Sequence, residues 1–441
     1  MQSSATGPST DGSLWPILRL VNRPTGCTDL AVLVNGFPRL SETFVLHELL
    51  ELERRGVRLH LFALRRPDEV VQQDALLELR ATVEYLPEGV VRYQRTRVRL
   101  AHTALLLQRR LEYVHGLAEV LASPEFSRSL GVSAVLLAHR IVRLGSPPLY
   151  VHFAHKPATI GRFASLLAGV PYALSAHAKD IWLTPETELA RKVRDARVVL
   201  TCTEQGRAQL DRLSAGRTPV CLAYHGVEVK GRVRSSRQDG TMRVLAVGRL
   251  VEKKGHETLL LAAGLLRDRG LEFSLRLAGE GPEWSRLQRL VHELRLGDRV
   301  VFLGPLSESE VRAEYERADV FALPCRRLAN GDQDGLPNVI LEAMAHSLPV
   351  VSTRLDGIVE AIVDGESGLL ADQDDPAAFA QHLERLIENA DLRDRIGEAG
   401  RSRVAERFER SANLPQVVDA LMEAGIVSAH ASEPRSLRAV A

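Results

Sequence analysis

Asp334 and Glu342 stand eight residues apart in the run 332–346, DQDGLPNVILEAMAH. Gly335, Leu336 and Pro337 read as a turn, with Pro337 suited to a first helical position, and 338–345 reads as a helix. Eight residues is just over two helical turns, so one carboxylate ahead of the helix and one within it can share a side. Two carboxylates facing one cleft suit a hydroxyl-rich ligand, because each accepts more than one hydroxyl proton. The free amides at the helix start, with the helix dipole, offer a seat for an anion such as diphosphate. A capped helix with an exposed Asp and a salt-bridged Glu is the competing reading.

A second segment, VGRLVEKKG at 247–255, ends a strand and lets Gly248 turn the backbone tightly. Arg249 and Lys254 then lie five residues apart in a loop ahead of a helix. Two fixed cations there neutralise a diphosphate leaving group without a metal ion; a solvated loop pair is the alternative. The chain has only six lysines against 51 arginines, an imbalance that GC-rich coding explains, so the adjacent Lys253 and Lys254 stand out. AGEGP at 278–282 places Gly279 and Gly281 after a strand, a turn that binds nucleotides in some folds and merely turns in others. SAHAKDIW at 175–182 puts His177 just past a strand, either as a donor near a reacting sugar or as a structural histidine. NGFPRLSETFV at 35–45 carries Gly36, where a ligand can approach the backbone, and Ser41, read as the start of a helix aimed at the cleft. All five segments lie where a strand hands over to a helix, the ligand-binding edge of an open α/β sheet.

The elements that must position these residues alternate along the chain. Strands are expected at 31–37, 57–64, 150–154, 172–176, 198–202 and 220–224, with helices between most of them. The polar run KGRVRSSRQDG at 230–240 reads as a linker. Alternation then restarts, with strands at 244–247, 274–278, 300–303, 320–323 and 349–352 and a helix over 257–269. The fold class is therefore α/β, with two doubly wound Rossmann-like domains of similar size, 29–232 and 241–410, facing a central cleft. A lead-in at 1–28 is expected to be disordered, and 411–441 to form a last helix and tail that can pack back on the first domain. At 441 residues, 45% hydrophobic, 26% charged and net +1, the chain is an ordinary globular protein without a global attraction to nucleic acid. Its four cysteines show no metal-binding spacing, and no run is long and apolar enough to span a bilayer. Near 91–120, Arg92, Arg95, Arg97, Arg99, Arg109 and Arg110 surround apolar residues at 105–107. Such a helix either lies on an anionic membrane surface or is solvated with one buried face.

The sequence resembles glycosyltransferase family 4, with the two-domain GT-B fold, from Leu30 to Phe408. GRLVEKKG looks like the family's donor-phosphate motif, DGLPNVILEAMA like its Glu-x7-Glu motif, and GIVEAIVDGESGLL like the segment that usually follows. FPRLSETFVLHE, HFAHKPA and SAHAKDIW resemble the colanic acid and exopolysaccharide transferases. The resemblance implies that Arg249 and Lys254 bind the donor diphosphate, that Glu342 holds the ribose hydroxyls and that Asp334 holds the sugar hydroxyls. His177 would touch the sugar near the reacting carbon, the amides at Leu336, Asn338 and Val339 would cradle phosphate and sugar, and Gly36 would lie under the diphosphate. The family usually has Glu where this chain has Asp334, one methylene shorter, which bears on the donor sugar that fits.

The implied activity is retaining transfer of a hexose-like sugar from a UDP or GDP sugar, with no metal or other cofactor and the nucleotide sugar as co-substrate. The implied acceptor is a lipid-linked saccharide at the inner membrane face, giving a cytoplasmic enzyme with peripheral membrane contact. A small specialised metabolite, such as an antibiotic precursor, is a second acceptor reading. A pyridoxal-phosphate phosphorylase, a nucleotide-sugar epimerase and a non-catalytic nucleotide-sugar binding protein are the rival functions.

Overall fold

A computed structural model describes residues 29–67, 73–87, 94–229 and 241–428. The lead-in at 1–28, the linker at 230–240, Arg92 and the tail past 428 lie outside the described residues.

Thirteen strands among the described residues form two wholly parallel sheets. The first comprises β1 (Asp29–Gly36), β2 (Arg58–Arg65), β3 (Val83–Tyr85), β4 (Leu149–His152), β5 (Tyr172–Ala176), β6 (Val199–Thr201) and β7 (Val220–Leu222), in the order β3-β2-β1-β4-β5-β6-β7. The second comprises β8 (Met242–Val247), β9 (Phe273–Ala278), β10 (Val300–Gly304), β11 (Val320–Leu323), β12 (Val350–Thr353) and β13 (Leu369–Ala371), in the order β10-β9-β8-β11-β12-β13. In each sheet the winding reverses beside the first strand, between β1 and β4 and between β8 and β11. A crevice opens past the carboxyl ends at such a reversal. The expected strands are present within a few residues. The two unforeseen ones, β3 and β13, are three-residue edge strands, too short to show a period.

Apolar runs become central strands because both faces are covered. In β1, Ala31 and Leu33 face one core, while Leu30, Val32 and Val34 face the other. That second core also contains Val417, Val418 and Leu421 of the final helix, Arg410–Glu423. The chain therefore runs back from the second sheet and lays its last helix along Thr43–Arg54, under the first sheet. The return is fixed by backbone bonds, Val227 N–H to Phe408 O at 2.9 Å and Arg410 N–H to Val227 O at 2.9 Å. The expected helix start at Ser41 moves to Thr43. Glu42 takes the N-cap position without a capping side-chain bond and pairs instead with Arg39 at 2.9 Å.

A carboxylate joins the two halves. Glu360, from the helix Asp356–Ala361 beside β12, accepts from the backbone N–H of Glu204 at 2.9 Å and from the Tyr224 hydroxyl at 3.0 Å. Glu204 opens the helix Glu204–Ser214 of the first sheet's layer, so a negative charge from one half meets the positive helix terminus of the other. Glu360→Ala removes this acceptor. Loss of comparable helix-terminus contacts costs about 1–2 kcal/mol. The variant should melt at lower temperature, and small-angle scattering should show a wider distribution of dimensions; an unchanged melt and unchanged dimensions would remove Glu360 as a latch.

Candidate active site

Between the carboxyl edges of the two sheets lies a cleft of about 1580 Å³. His177, Arg249, Lys254, Gly279, Gly281, Asp334, Gly335, Leu336, Asn338, Val339 and Glu342 all line it. Gly36 does not: Asn35 takes that place, and a side chain at Gly36 would point towards Arg39, Arg65 and Pro67.

The loop after β8 is pressed on that after β9. Gly248 N–H bonds to Ala278 O at 2.9 Å and Leu250 N–H to Glu280 O at 2.8 Å. Gly279, at φ 137°, permits this approach, since a Cβ there would lie 2.0 Å from Gly248 O. The loop closes in the short turn Glu252–Lys254 and then Gly255, at φ 68°, where a Cβ would sit 1.8 Å from Pro324 O. Glycine is thus required at both points, and together they fix where Lys253 and Lys254 emerge.

Both lysines converge on one carboxylate. Asp334 Oδ2 is 2.7 Å from Lys254 Nζ, and Oδ1 is 3.3 Å from Lys253 Nζ, which also reaches Asp332 Oδ1 at 3.0 Å. Cys325 Sγ lies 3.6 Å from Asp334 Oδ2. Burial works to raise the Asp334 pKa, but the two ammonium groups win and hold it down to about 2. Burial likewise opposes the Lys254 charge, and Asp334 more than offsets it, so the pKa of Lys254 is raised. Arg249 differs from both. It is exposed in the cleft and makes no ion pair among the described residues.

Facing these cations is the helix Asn338–Ala345, whose N-terminus no side chain caps. Pro337 stands at the N-cap rather than at the first helical position expected of it. Just over one turn inside, Glu342 Oε2 accepts from the Tyr315 hydroxyl at 2.9 Å. Burial pushes the Glu342 pKa up, against that bond and the more distant Arg410. The competing sequence reading is thereby reversed: the Asp is ion-paired, and the Glu is held by a phenol.

The wall contributed by the first sheet has a different chemistry. His177 follows β5, with Nε2 2.8 Å from Ser175 Oγ and Nδ1 3.2 Å from His225 Nε2. Its backbone N–H donates to Asp180 Oδ1 at 3.0 Å, and the other oxygen of Asp180 accepts from Ala154 N–H. Burial, then the neighbouring histidines, drives the His177 pKa well below the usual imidazole range; burial takes His225 and His152 to about 3. These rings are neutral at physiological pH. Phe44 stacks on His225 at 3.9 Å between centroids, and Phe153 meets His177 edge-on at 5.5 Å. Phe153 at φ 76° and Ala178 at φ 40° hold strained backbone at the ends of β4 and β5, as functional sites often do. Ligating atoms of His177, Cys202 and His225 all lie within 4.8 Å of one another. Sequence reasoning missed His225, Phe44 and Tyr315. Phe44 lies within the run 35–45 already placed at the cleft edge, whereas His225 and Tyr315 come from segments without a motif, and only the fold brings them to the cleft.

Two facing parallel sheets with this cleft define the GT-B architecture, and comparisons with known proteins agree. Residues 230–403 match the family model described as "Glycosyl transferases group 1". The putative colanic acid biosynthesis glycosyltransferase WcaL of Escherichia coli (strain K12) is 27% identical over 363 residues, 79% of this chain and 87% of that protein. A GDP-mannose-dependent alpha-(1-6)-phosphatidylinositol monomannoside mannosyltransferase of Mycolicibacterium smegmatis is 34% identical over 185 residues, 41% of this chain and 48% of that one. Among solved structures, Anabaena Alr3699/HepE in complex with UDP and glucose superposes with a TM-score of 0.67 at 18% identity, covering 90% of this chain and 99% of that one. Sucrose-phosphate synthase from Thermosynechococcus elongatus gives 0.68 at 18% identity, over 91% and 100%. The chain is a glycosyltransferase enzyme with the GT-B fold.

The Asp334 pair makes a pH prediction. An aspartate whose folded pKa is depressed contributes stability that is full above its unfolded value, near 3.9, and is lost as pH falls towards about 2. Urea midpoints of the wild type should therefore drop over that window, and Asp334→Asn should lack this component. At neutral pH the variant should be less stable, because removing one partner of a buried pair costs about 3–5 kcal/mol. Parallel acid limbs in the two proteins would show that Asp334 is not the group titrating.

Proposed function

We propose that this glycosyltransferase is a retaining enzyme that needs no metal and takes a hexose-like sugar from a UDP or GDP sugar. The observation that carries the reading is that exposed, unpaired Arg249 and the uncapped helix Asn338–Ala345 line the same wall of one cleft. A diphosphate between them would meet a guanidinium, Lys254 and helix amides, the charges that a developing phosphate leaving group requires. Glu342, one turn deeper, is suited to accept ribose hydroxyl protons.

Lys254 and Asp334 have linked roles in this reading. Without donor the two neutralise each other. Diphosphate draws Lys254 towards itself, and Asp334, still held by Lys253, gains lone pairs for the sugar's hydroxyls. The shorter Asp suits this arrangement because both its oxygens already reach lysines. His177, neutral, would exchange its bond to Ser175 or to His225 for one hydrogen bond near the anomeric carbon, adding no charge. As the C–O bond to diphosphate lengthens, negative charge gathers on the departing phosphate oxygen. The acceptor hydroxyl attacks the same face and passes its proton to that oxygen, so the configuration is retained.

The acceptor we favour is a lipid-linked saccharide in polysaccharide assembly. This rests on likeness to WcaL, whose name places it in colanic acid biosynthesis, and to a mannosyltransferase named for a phosphatidylinositol monomannoside.

Arg249→Ala and Lys254→Ala should each lower kcat by about 100- to 1000-fold, the range for losing one transition-state donor. Ligand binding raises apparent melting temperature by mass action, so UDP or GDP should stabilise the wild type without added metal. Lys254→Ala should lose that shift while retaining its fold by circular dichroism. Wild-type turnover in the folded double variant would reject the assignment.

A further inference from the structure

The hairpin at 94–122 forms an outer layer that the catalytic reading leaves unused. The expected basic helix is two helices, Gln94–Gln108 and Arg110–Ala122, broken at Arg109. Their inner face is well occupied: Ala101, Leu105, Tyr113 and Val120 are buried in the first sheet's core. Gly116 lies so close to the helix Lys156–Ala168 that a Cβ would stand 2.3 Å from Leu166 O. A second apolar stripe faces outward. Of the eleven large apolar side chains exposed among the described residues, six are on this hairpin, with Leu107 at 79% and Leu111 at 73% the most exposed of them. Leu100 and Leu107 are seven residues apart on one helix; Leu111, Val114 and Leu121 follow helical spacing on the other, so each helix presents one outward line.

Around these stripes stand cations without acids to match them. The hairpin holds five arginines against Glu112 and Glu119. Arg95, Arg97, Arg99 and Arg110 are exposed and make no ion pair among the described residues. An apolar stripe flanked by free arginines is complementary to an anionic bilayer surface, where leucines enter the acyl boundary and guanidinium groups meet phosphates. A second copy of this chain fits poorly, because two-fold pairing would set the same arginines against one another. The chain's own termini fit no better: residues 1–28 carry Arg19 and Arg23 against Asp11, and the tail past 428 carries Arg435 and Arg438 against Glu433.

We infer that the outer face of the 94–122 hairpin docks on an anionic phospholipid bilayer. The inference builds on the lipid-linked acceptor proposed above, since docking would bring the cleft to such an acceptor; the binding itself requires neither donor nor acceptor.

The full-length protein should co-sediment with vesicles of phosphatidylcholine mixed with phosphatidylglycerol, and much less with phosphatidylcholine alone, with added salt weakening the binding. The triple change Arg97→Gln, Arg99→Gln and Arg110→Gln should reduce partitioning about 100-fold, since each surface cation is worth about fivefold. Leu107→Ser with Leu111→Ser should reduce it by more than about tenfold. A thermal shift on adding UDP or GDP, unchanged in every variant, shows that the fold and donor site survive, which separates failure of docking from failure of the donor reading. Equal binding to neutral vesicles, no binding, or binding unchanged by both sets of substitutions would overturn the inference. So would sedimentation as a dimer that the leucine changes split, which would make the face a self-association surface.

Discussion

Asp334 keeps its charge inside the cleft because two ammonium groups face it. A carboxylate removed from water is expensive unless paired, and so is a lysine. The geometry around the pair follows from that constraint. Gly255 must take a left-handed conformation against Pro324 so that Lys253 and Lys254 leave the loop towards Asp334. Gly279 must let the neighbouring loop press on Gly248 so that this turn stays rigid. The turn before Asn338 must bring Asp334 to the same point from β11. Among these five charges, Asp332 and Asp334 balance Lys253 and Lys254, and Arg249 is left in excess, exposed in the cleft. The resting site thus carries a surplus positive charge beside an uncapped helix N-terminus, which is an environment prepared for an anion.

That preparation is useful only if the two sheets stay in register across the cleft. Each half has its own core, so their relative placement depends on fewer contacts. Three are visible. The chain crosses back at 408–410, with Val227 bonded on both sides of the crossing. The final helix buries Val417, Val418 and Leu421 against the first sheet. Glu360 reaches over to the first turn of Glu204–Ser214. The first two are apolar or backbone contacts; the third is one carboxylate that accepts from backbone N–H groups and the Tyr224 hydroxyl. An arrangement of this kind permits small opening motions without unfolding either half.

Much of this was legible in the sequence, for a definite reason. Parallel strands covered on both faces must be short continuous apolar runs, so β1, β5 and β11 announce themselves in AVLVNGF, YALSA and VFAL. Motif spacing located Lys254, Asp334 and Glu342 because each sits beside a strand end whose position is itself readable. What stayed hidden depends on three-dimensional approach. That Lys254 and Asp334 are partners follows from β8 and β11 being neighbours in the sheet, not from the eighty residues separating them in order. Tyr315 meets Glu342 from a helix with no motif. Gly36 itself does not line the cleft; its neighbour Asn35 does. The hairpin's outward leucines were readable only as composition, since inner and outer stripes are both apolar and blur the helical period.

The two walls of the cleft divide the electrostatic work. Lys253, Lys254, Arg249 and the helix terminus lie on the second sheet's side, while Arg39, Arg65, Lys156 and Lys179 line the first sheet's wall. Around His177 the first sheet supplies neutral rings instead: burial keeps His177, His225 and His152 unprotonated, and Phe44 and Phe153 pack against them. An imidazolium there would repel the positive charge that builds on an anomeric carbon as its bond to phosphate breaks. Both nitrogens of the neutral imidazole have partners, Ser175 on one and His225 on the other, so a hydrogen bond to the sugar must replace one of these. Such a division matches the polarity of the proposed reaction, in which negative charge leaves towards one wall while a cation-like carbon faces the other.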